Sequence, residues 1–210
     1  DICDYNDDLL SWFRDVDTVF HLAAEARIQP SLINPLKTIQ TNVMGTANVL
    51  QASKEFGVDR VIYSSTSSAY GSSDVLPLRE DMQTKCMTPY TVGKVAGEQL
   101  CKMYNDLFGV KTITLRYFNV YGEGEEEKIA RDQSSPISKF IHQAKTEGII
   151  RVFENSKTYF RDFVCVDDLL KIILDNTRES GIYDLGTSSP ISFLAVANIV
   201  AKYYNAHVEY

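Results

Sequence analysis

Hydrophobic positions along the chain fall into two alternating patterns. "VDTVFHLAA" (residues 16–24) and "RVIYSS" (60–65) are short, nearly continuous apolar runs, which read as buried strands. Between them, from about Pro35 to Phe56, apolar side chains at Val43, Ala47, Leu50 and Phe56 follow helical spacing, and Gly57 is placed to stop the helix. A second helical stretch runs from about Tyr90 to Phe108 and ends at Gly109. "KTITLRYFNVYG" (111–122), rich in β-branched residues, follows as a third strand. Apolar strands separated by helices predict parallel βαβ units covered on both faces. Right-handed crossovers make this an α/β chain with a doubly wound parallel sheet.

The pattern changes after Gly122. An acidic segment, "EGEEE", precedes a helix that starts at Ser135-Pro136, a serine cap followed by proline. "IIRVF", "RDFVCVDDLLKIILDN" and "GIYDLGTSSPISFLAVANIVAKYY" then mix short strands with helices. The expected division is a nucleotide-type domain over 1–122 and a smaller mixed α/β domain over 123–210, with parts of the latter returning to the sheet.

Composition narrows the partners. The net charge of −7 argues against nucleic acid or an anionic membrane as the main partner. No run approaches the ~18 apolar residues of a spanning helix. The four cysteines (Cys3, Cys86, Cys101, Cys165) have no metal-ligand spacing and read as free thiols of a reducing compartment, the cytoplasm. No metal site is expected.

The chemistry gathers at strand ends. Ligands of open parallel sheets bind beyond the carboxyl ends of the strands, here His21–Glu25, Ser64–Tyr70 and Arg116–Tyr121. "YSSTSSAYG" (63–71) puts a row of hydroxyls at the second of these ends. They are either caps for the next segment or the lining of a cleft. "PYTVGK" then sets Tyr90 and Lys94 four residues apart on one helix face. A phenol of ordinary pKa about 10 is a poor base near neutrality; an ammonium group beside it would lower that value. The spacing alone arises about once by chance in such a chain; its order after the hydroxyl-lined strand end gives it weight.

"FHLAA", "TNVMGTANVL", "RVIYSSTSSAYG", "PYTVGK", "LRYFNVYG" and "RDFVCVDDL", in that order, resemble the extended short-chain dehydrogenase/reductase family, in particular its NAD-dependent nucleotide-sugar epimerases and dehydratases. The resemblance covers nearly the whole chain. It implies a Rossmann-like fold, NAD as cofactor, a nucleotide-diphosphate sugar as substrate and a homodimer. It implies Thr66, Tyr90 and Lys94 as the catalytic set, with Lys94 also on the nicotinamide ribose. Asp1, Ile2, Leu22, Ala23, Ala24, Thr41, Asn42, Ser64 and Tyr117 would join Tyr90 and Lys94 around NAD. Asn119, Phe153, Ser156 and Arg161 would join Thr66 around the substrate. Bland readings stand beside these: Asn42 tying two loops together, Arg161 paired with Asp162 or Asp168, and His21 merely packed at its strand end.

The chain also departs from the family. It contains no G-x-x-G-x-x-G turn to seat a pyrophosphate on a helix N-terminus. The expectation is that strands and helices carrying that turn precede Asp1 in the natural protein, and that this stretch alone binds NAD weakly. After Thr66 stand Ser67 and Ser68, where dehydratases place an Asp-Glu pair. Serine hydroxyls do not shuttle a proton at neutral pH, which favours epimerisation. The first half of the chain resembles UDP-sugar 4-epimerases; the second resembles ADP-glycero-manno-heptose 6-epimerases, in which a lysine at the place of Lys128 is a second base. The 4-epimerase is the leading reading, the heptose epimerase the alternative. A non-catalytic dinucleotide-binding relative is the remaining one.

Overall fold

The computed structural model describes residues 1–73, 75–129, 133–174 and 179–210. The chain forms two compact units, Asp1–Tyr117 with Asp175–Asp184, and Phe118–Leu174 with Leu185–Tyr210. Asp175 and Asn176, expected at the end of a helix, lie outside the described residues.

The first unit holds strands β1 (Thr18–His21), β2 (Arg60–Thr66) and β3 (Lys111–Tyr117), and the sheet order is β1-β2-β3-β8, with β8 at Gly181–Leu185. β1 pairs with β2 and β2 with β3, both in parallel, with Thr66 opposite Tyr117. The helices are α1 (Asp7–Ser11), α2 (Ile28–Ile33), α3 (Pro35–Ile39), α4 (Thr46–Phe56) and α5 (Pro89–Phe108). A π-helical turn, Gln40–Gly45, joins α3 to α4, so the single helix expected over 35–56 carries a wide turn at its middle. Gly57 takes the left-handed conformation (φ 66°) that ends α4, and Gly109 (φ 73°) ends α5. Thr88 caps α5 in a capping box with Thr91, and Pro89 opens it. Leu50, Val61, Tyr63 and Cys101 are among the buried residues of the core.

Within the second unit, β4 (Asn119–Tyr121) pairs in parallel with β7 (Phe163–Cys165). The strand expected over 111–122 therefore breaks at Phe118: its last residues find hydrogen-bond partners in β7, and the unit boundary falls after Tyr117 rather than after Gly122. α6 (Glu126–Ile129), α7 (Pro136–Glu147), β5 (Ile149–Arg151), β6 (Phe160–Arg161), α8 (Val166–Ile173), β9 (Ile191–Ser192), α9 (Phe193–Tyr204) and β10 (His207–Glu209) complete this unit. Its own core includes Phe140, Ile150, Phe163 and Val196.

Candidate active site

Burial and polarity meet at the end of β2. Ser64, Ser65 and Thr66 are all buried, and the strand passes into a 3-10 turn, Ser67–Tyr70. Thr66 Oγ1 accepts from the Ser68 amide at 3.1 Å, so part of the hydroxyl row does cap the next segment. Ser64 Oγ lies 3.3 Å from the Tyr117 hydroxyl across the β2–β3 pair.

Helix α5 is seated against β2 and against the Gln40–Gly45 turn by two notches. A Cβ on Gly97 would stand 2.1 Å from the Tyr63 hydroxyl, and one on Gly93 2.9 Å from Asn42 Cβ. Only glycine lets those side chains approach so closely. The helix thereby brings Tyr90 and Lys94 to the strand end.

Lys94 is 4% exposed, and its ammonium donates to the Ser64 carbonyl at 2.7 Å while facing the Tyr63 ring at 5.1 Å. Burial lowers its pKa to about 8, against the raising influence of Cys101 and Glu98. The expected lowering of the Tyr90 pKa by Lys94 does not appear in this arrangement. Burial raises the Tyr90 pKa, and the influences that pull it down are the Thr66 hydroxyl and the charge of Arg27. Arg27 was not among the sequence-predicted residues; its signal was a cation three residues after Ala24 at the β1 strand end.

His21 is buried and neutral. The Thr46 hydroxyl donates to the Asn42 carbonyl at 2.8 Å and lies 2.9 Å from His21 Nε2, which therefore carries its proton toward Thr46. Burial, then Lys94, lowers the His21 pKa to about 4. The packed reading of this histidine is the one the geometry supports.

The cofactor candidates separate into two sets. Leu22 and Ala23 are exposed at the end of β1, with Ala24 half-buried beside them. Ile2 packs against Gly45, its carbonyl accepts from Asn48 Nδ2 at 2.8 Å, and the exposed Asp1 accepts from the Cys3 amide. Thr41 Oγ1 lies 3.8 Å from Cys3 Sγ. Asn42 belongs elsewhere. It is buried, its Oδ1 accepts from the Glu25 amide at 2.8 Å and its Nδ2 donates to the Glu25 carbonyl at 3.1 Å. Asn42 thus ties the wide helical turn to the loop after β1, and its contribution to a ligand is to hold that loop.

Lys94 offers a test of fit for a dinucleotide. Of its three N–H groups one meets the Ser64 carbonyl, leaving two donors, and the exposed apolar Leu22 and Ala23 follow β1, the strand paired with the one that carries Ser64. A ribose with two hydroxyls next to a flat ring suits that donor set. Among the described residues, no group of three or more His, Cys, Asp or Glu could hold a metal ion, and no helix is long and apolar enough to cross a membrane.

The remaining candidates lie in the second unit. Asn119 Nδ2 donates to the Asp162 carbonyl at 2.9 Å, an intramolecular role that competes with substrate contact. Phe153 is 85% exposed. Ser156 is buried, and its hydroxyl has no hydrogen-bond partner. Arg161 is exposed and donates to the Phe160 carbonyl. Neither acid proposed for it is its partner: Asp162 accepts from Thr187 and Ser188, and Asp168 pairs with Lys171. Lys128 is exposed on α6; burial pushes the Glu125 carboxyl up, but the bonds from Ser135 and Ser138, and last the charge of Lys128, hold it below its usual range.

Comparison with known proteins finds relatives along most of this chain. The NAD dependent epimerase/dehydratase family matches residues 1–186. A putative UDP-glucose 4-epimerase of Methanocaldococcus jannaschii is 32% identical over 191 residues, covering 90% of this chain and 61% of its own length. A UDP-glucuronate 4-epimerase of Thermodesulfobacterium geofontis is 31% identical over 192 residues, covering 89% of this chain and 57% of its own. The chain thus spans about three fifths of the length of the curated relatives it matches. The crystal structure of UDP-glucose 4-epimerase from Thermotoga maritima, solved with UDP-glucose, superposes with a TM-score of 0.89 at 25% identity, covering 99% of this chain and 69% of that one. The chain belongs to the NAD dependent epimerase/dehydratase family.

Proposed function

We propose that the whole protein is an NAD-dependent epimerase of a nucleotide-diphosphate sugar, and that the sugar is inverted at its fourth carbon through a transient ketone. The observation that carries this reading is the meeting of Thr66, Tyr90 and Lys94 at one strand end, a set that a binding module would not need. The relatives named above, both 4-epimerases, favour that reaction over the heptose 6-epimerase.

NAD supplies the hydride acceptor and, later in the cycle, the hydride donor. Lys94 holds it through the ammonium protons not taken by Ser64; Leu22, Ala23 and Ala24 give it a flat apolar edge. Tyr90 Oη takes the proton of the sugar hydroxyl and returns it once the ketone has turned its other face. Thr66 hydrogen-bonds the same oxygen and, with Arg27, favours the phenolate. Those two influences matter because burial works against ionisation of Tyr90. Arg161 suits the diphosphate, since its fork can bind two oxygens at once. Phe153 and Ser156 flank the nucleotide, and Asn119 meets the sugar through its remaining amide oxygen. The cytoplasm and a homodimer belong to the same reading; unbonded Cys3, Cys86, Cys101 and Cys165 support the first, and exposed Leu36 and Leu107 on helices of the first unit support the second.

The test is turnover of UDP-glucose, UDP-glucuronate, UDP-N-acetylglucosamine and ADP-heptose by the whole protein with NAD. A 4-epimer from a UDP sugar is expected. A 4-keto-6-deoxy product from any of them would sink the epimerase reading, and activity on the heptose alone would replace it with the alternative.

A further inference from the structure

Tyr70 closes the stretch that Tyr63 opens, and the reaction outlined above makes no use of it. Its side chain is buried, and its hydroxyl stands between two charges. It accepts from Arg116 Nη1 at 2.8 Å and donates to the Asp184 carboxylate, whose two oxygens are each 2.8 Å away. The guanidinium of Arg116 also lies 4.8 Å from the Tyr70 ring centre.

The other nitrogens of Arg116 go to Glu98: Nε donates to Oε1 at 2.9 Å and Nη2 to Oε2 at 2.7 Å. Glu98 Oε1 accepts in addition from the Ser65 hydroxyl. One line of bonds therefore joins β2 through Ser65, α5 through Glu98, β3 through Arg116, the 3-10 turn through Tyr70 and β8 through Asp184. Ser65 is the residue before Thr66. Glu98 lies one helical turn beyond Lys94 and two beyond Tyr90 on the same face.

Such an arrangement is a poor way to gain stability alone. An ion pair buried at this depth loses so much hydration that apolar residues of the same volume often serve as well or better. What a two-pronged ion pair and a phenol bonded in both directions supply is fixed orientation. We propose that Tyr70 is a positioning residue: with Arg116, Glu98 and Asp184 it holds the Ser65–Thr66 strand end against the first turns of α5, so that the Thr66 hydroxyl and the Tyr90 phenol meet at one point. Tyr70 does not touch substrate, because its hydroxyl is committed on both sides. The proposal rests on the reading of Thr66 and Tyr90 as the reacting pair.

Tyr70→Phe removes one oxygen and keeps the ring. Amide hydrogen exchange reads the effect without turnover: residues 64–70 and 89–98 are expected to exchange at least about 10-fold faster than in the wild type, with β1 and α4 unchanged. Asp184→Asn keeps an oxygen to accept from the phenol and should exchange like the wild type. In the whole protein, Tyr70→Phe should lower kcat by about 10–100-fold, the cost of a displacement of order 1 Å, with KM for the nucleotide sugar within about 2-fold. Asp184→Asn should stay within about 3-fold of the wild-type kcat. If Tyr70→Phe does not fold, Ser65→Ala, which removes only the bond to Glu98, is read by the same two measurements. Unchanged exchange in both segments, uniform acceleration across the first unit, or an unchanged kcat would each overturn the proposal. A wild type that turns over no nucleotide sugar counts against the proposed function, and the exchange result then decides the role of Tyr70 by itself.

Discussion

The strand end of the first unit and the 153–161 stretch of the second differ in how completely their polar groups are satisfied. In the first, Thr66, Lys94 and Asn42 are buried, and each has a partner fixed by the fold. In the second, Phe153 and Arg161 are exposed and the buried Ser156 hydroxyl has no partner. Groups that move protons have to be held before the substrate arrives. Groups that recognise a ligand can draw their last partners from it. Under the proposed function this difference matches chemistry in the first unit and recognition in the second, and it can be broken by separating kcat from KM.

The largest effect is expected at Tyr90. Tyr90→Phe should keep the fold and lower kcat by about 10²–10⁴, the usual worth of a positioned acid–base group. Lys94→Met should match it and weaken NAD binding as well. Steady-state kinetics and calorimetry with NAD check both; a Tyr90→Phe variant with normal kcat removes the chemistry from this unit.

His21 sharpens the same side of the comparison through pH. Its pKa falls from 6.5 to about 4 in the folded chain. Below pH 6.5 the unfolded chain takes up a proton that folded His21 does not accept until about pH 4, so stability falls as pH drops through that window. Between pH 7 and pH 4.5 this amounts to roughly 2–3 kcal/mol. Urea unfolding of wild type and His21→Gln at the two pH values should show that much less pH dependence in the variant. Equal dependence would mean that the ring is not buried against Thr46 as described.

What could be read in the sequence follows the same division. Tyr90 and Lys94 were legible because helical spacing and the Thr88-Pro89 start of α5 are local properties. The strands were legible from continuous apolar runs. The break of the third strand at Phe118 was not, because "LRYFNVY" carries no Gly or Pro to mark an end while its hydrogen-bond partners change from β2 to β7. The π turn at Gln40–Gly45 was not either: an extra residue in a helix leaves the apolar pattern nearly intact, yet it turns Asn42 onto the Glu25 backbone. The Tyr90 environment was misjudged because Lys94, correctly placed on its helix face, reaches the Ser64 carbonyl, and a spacing rule carries no information about that acceptor.

Arg161 tests the second unit. Arg161→Gln keeps the stem and a donor but removes the charge and the fork. KM for the nucleotide sugar should rise about 10–100-fold, the range of one or two charge-assisted hydrogen bonds, with kcat within about 3-fold. A kcat loss as large as the KM change would blur the division between the units.

The smallest effect is expected at Lys128, where the two epimerase readings part. A second base would have to reach the substrate and be held toward it by the surrounding fold. Lys128 stands exposed on the short helix α6, and its charge acts on Glu125, which is bonded to Ser135 and Ser138 at the start of α7. That is the work of a surface cation beside a helix cap, worth about 0–1 kcal/mol. Lys128→Met should therefore leave kcat and KM for a UDP sugar within about 2-fold and lower the unfolding midpoint by no more than about 3 °C. Loss of turnover on ADP-heptose in this variant, with Tyr90→Phe equally inactive, would instead place a base in each unit and make the protein a 6-epimerase.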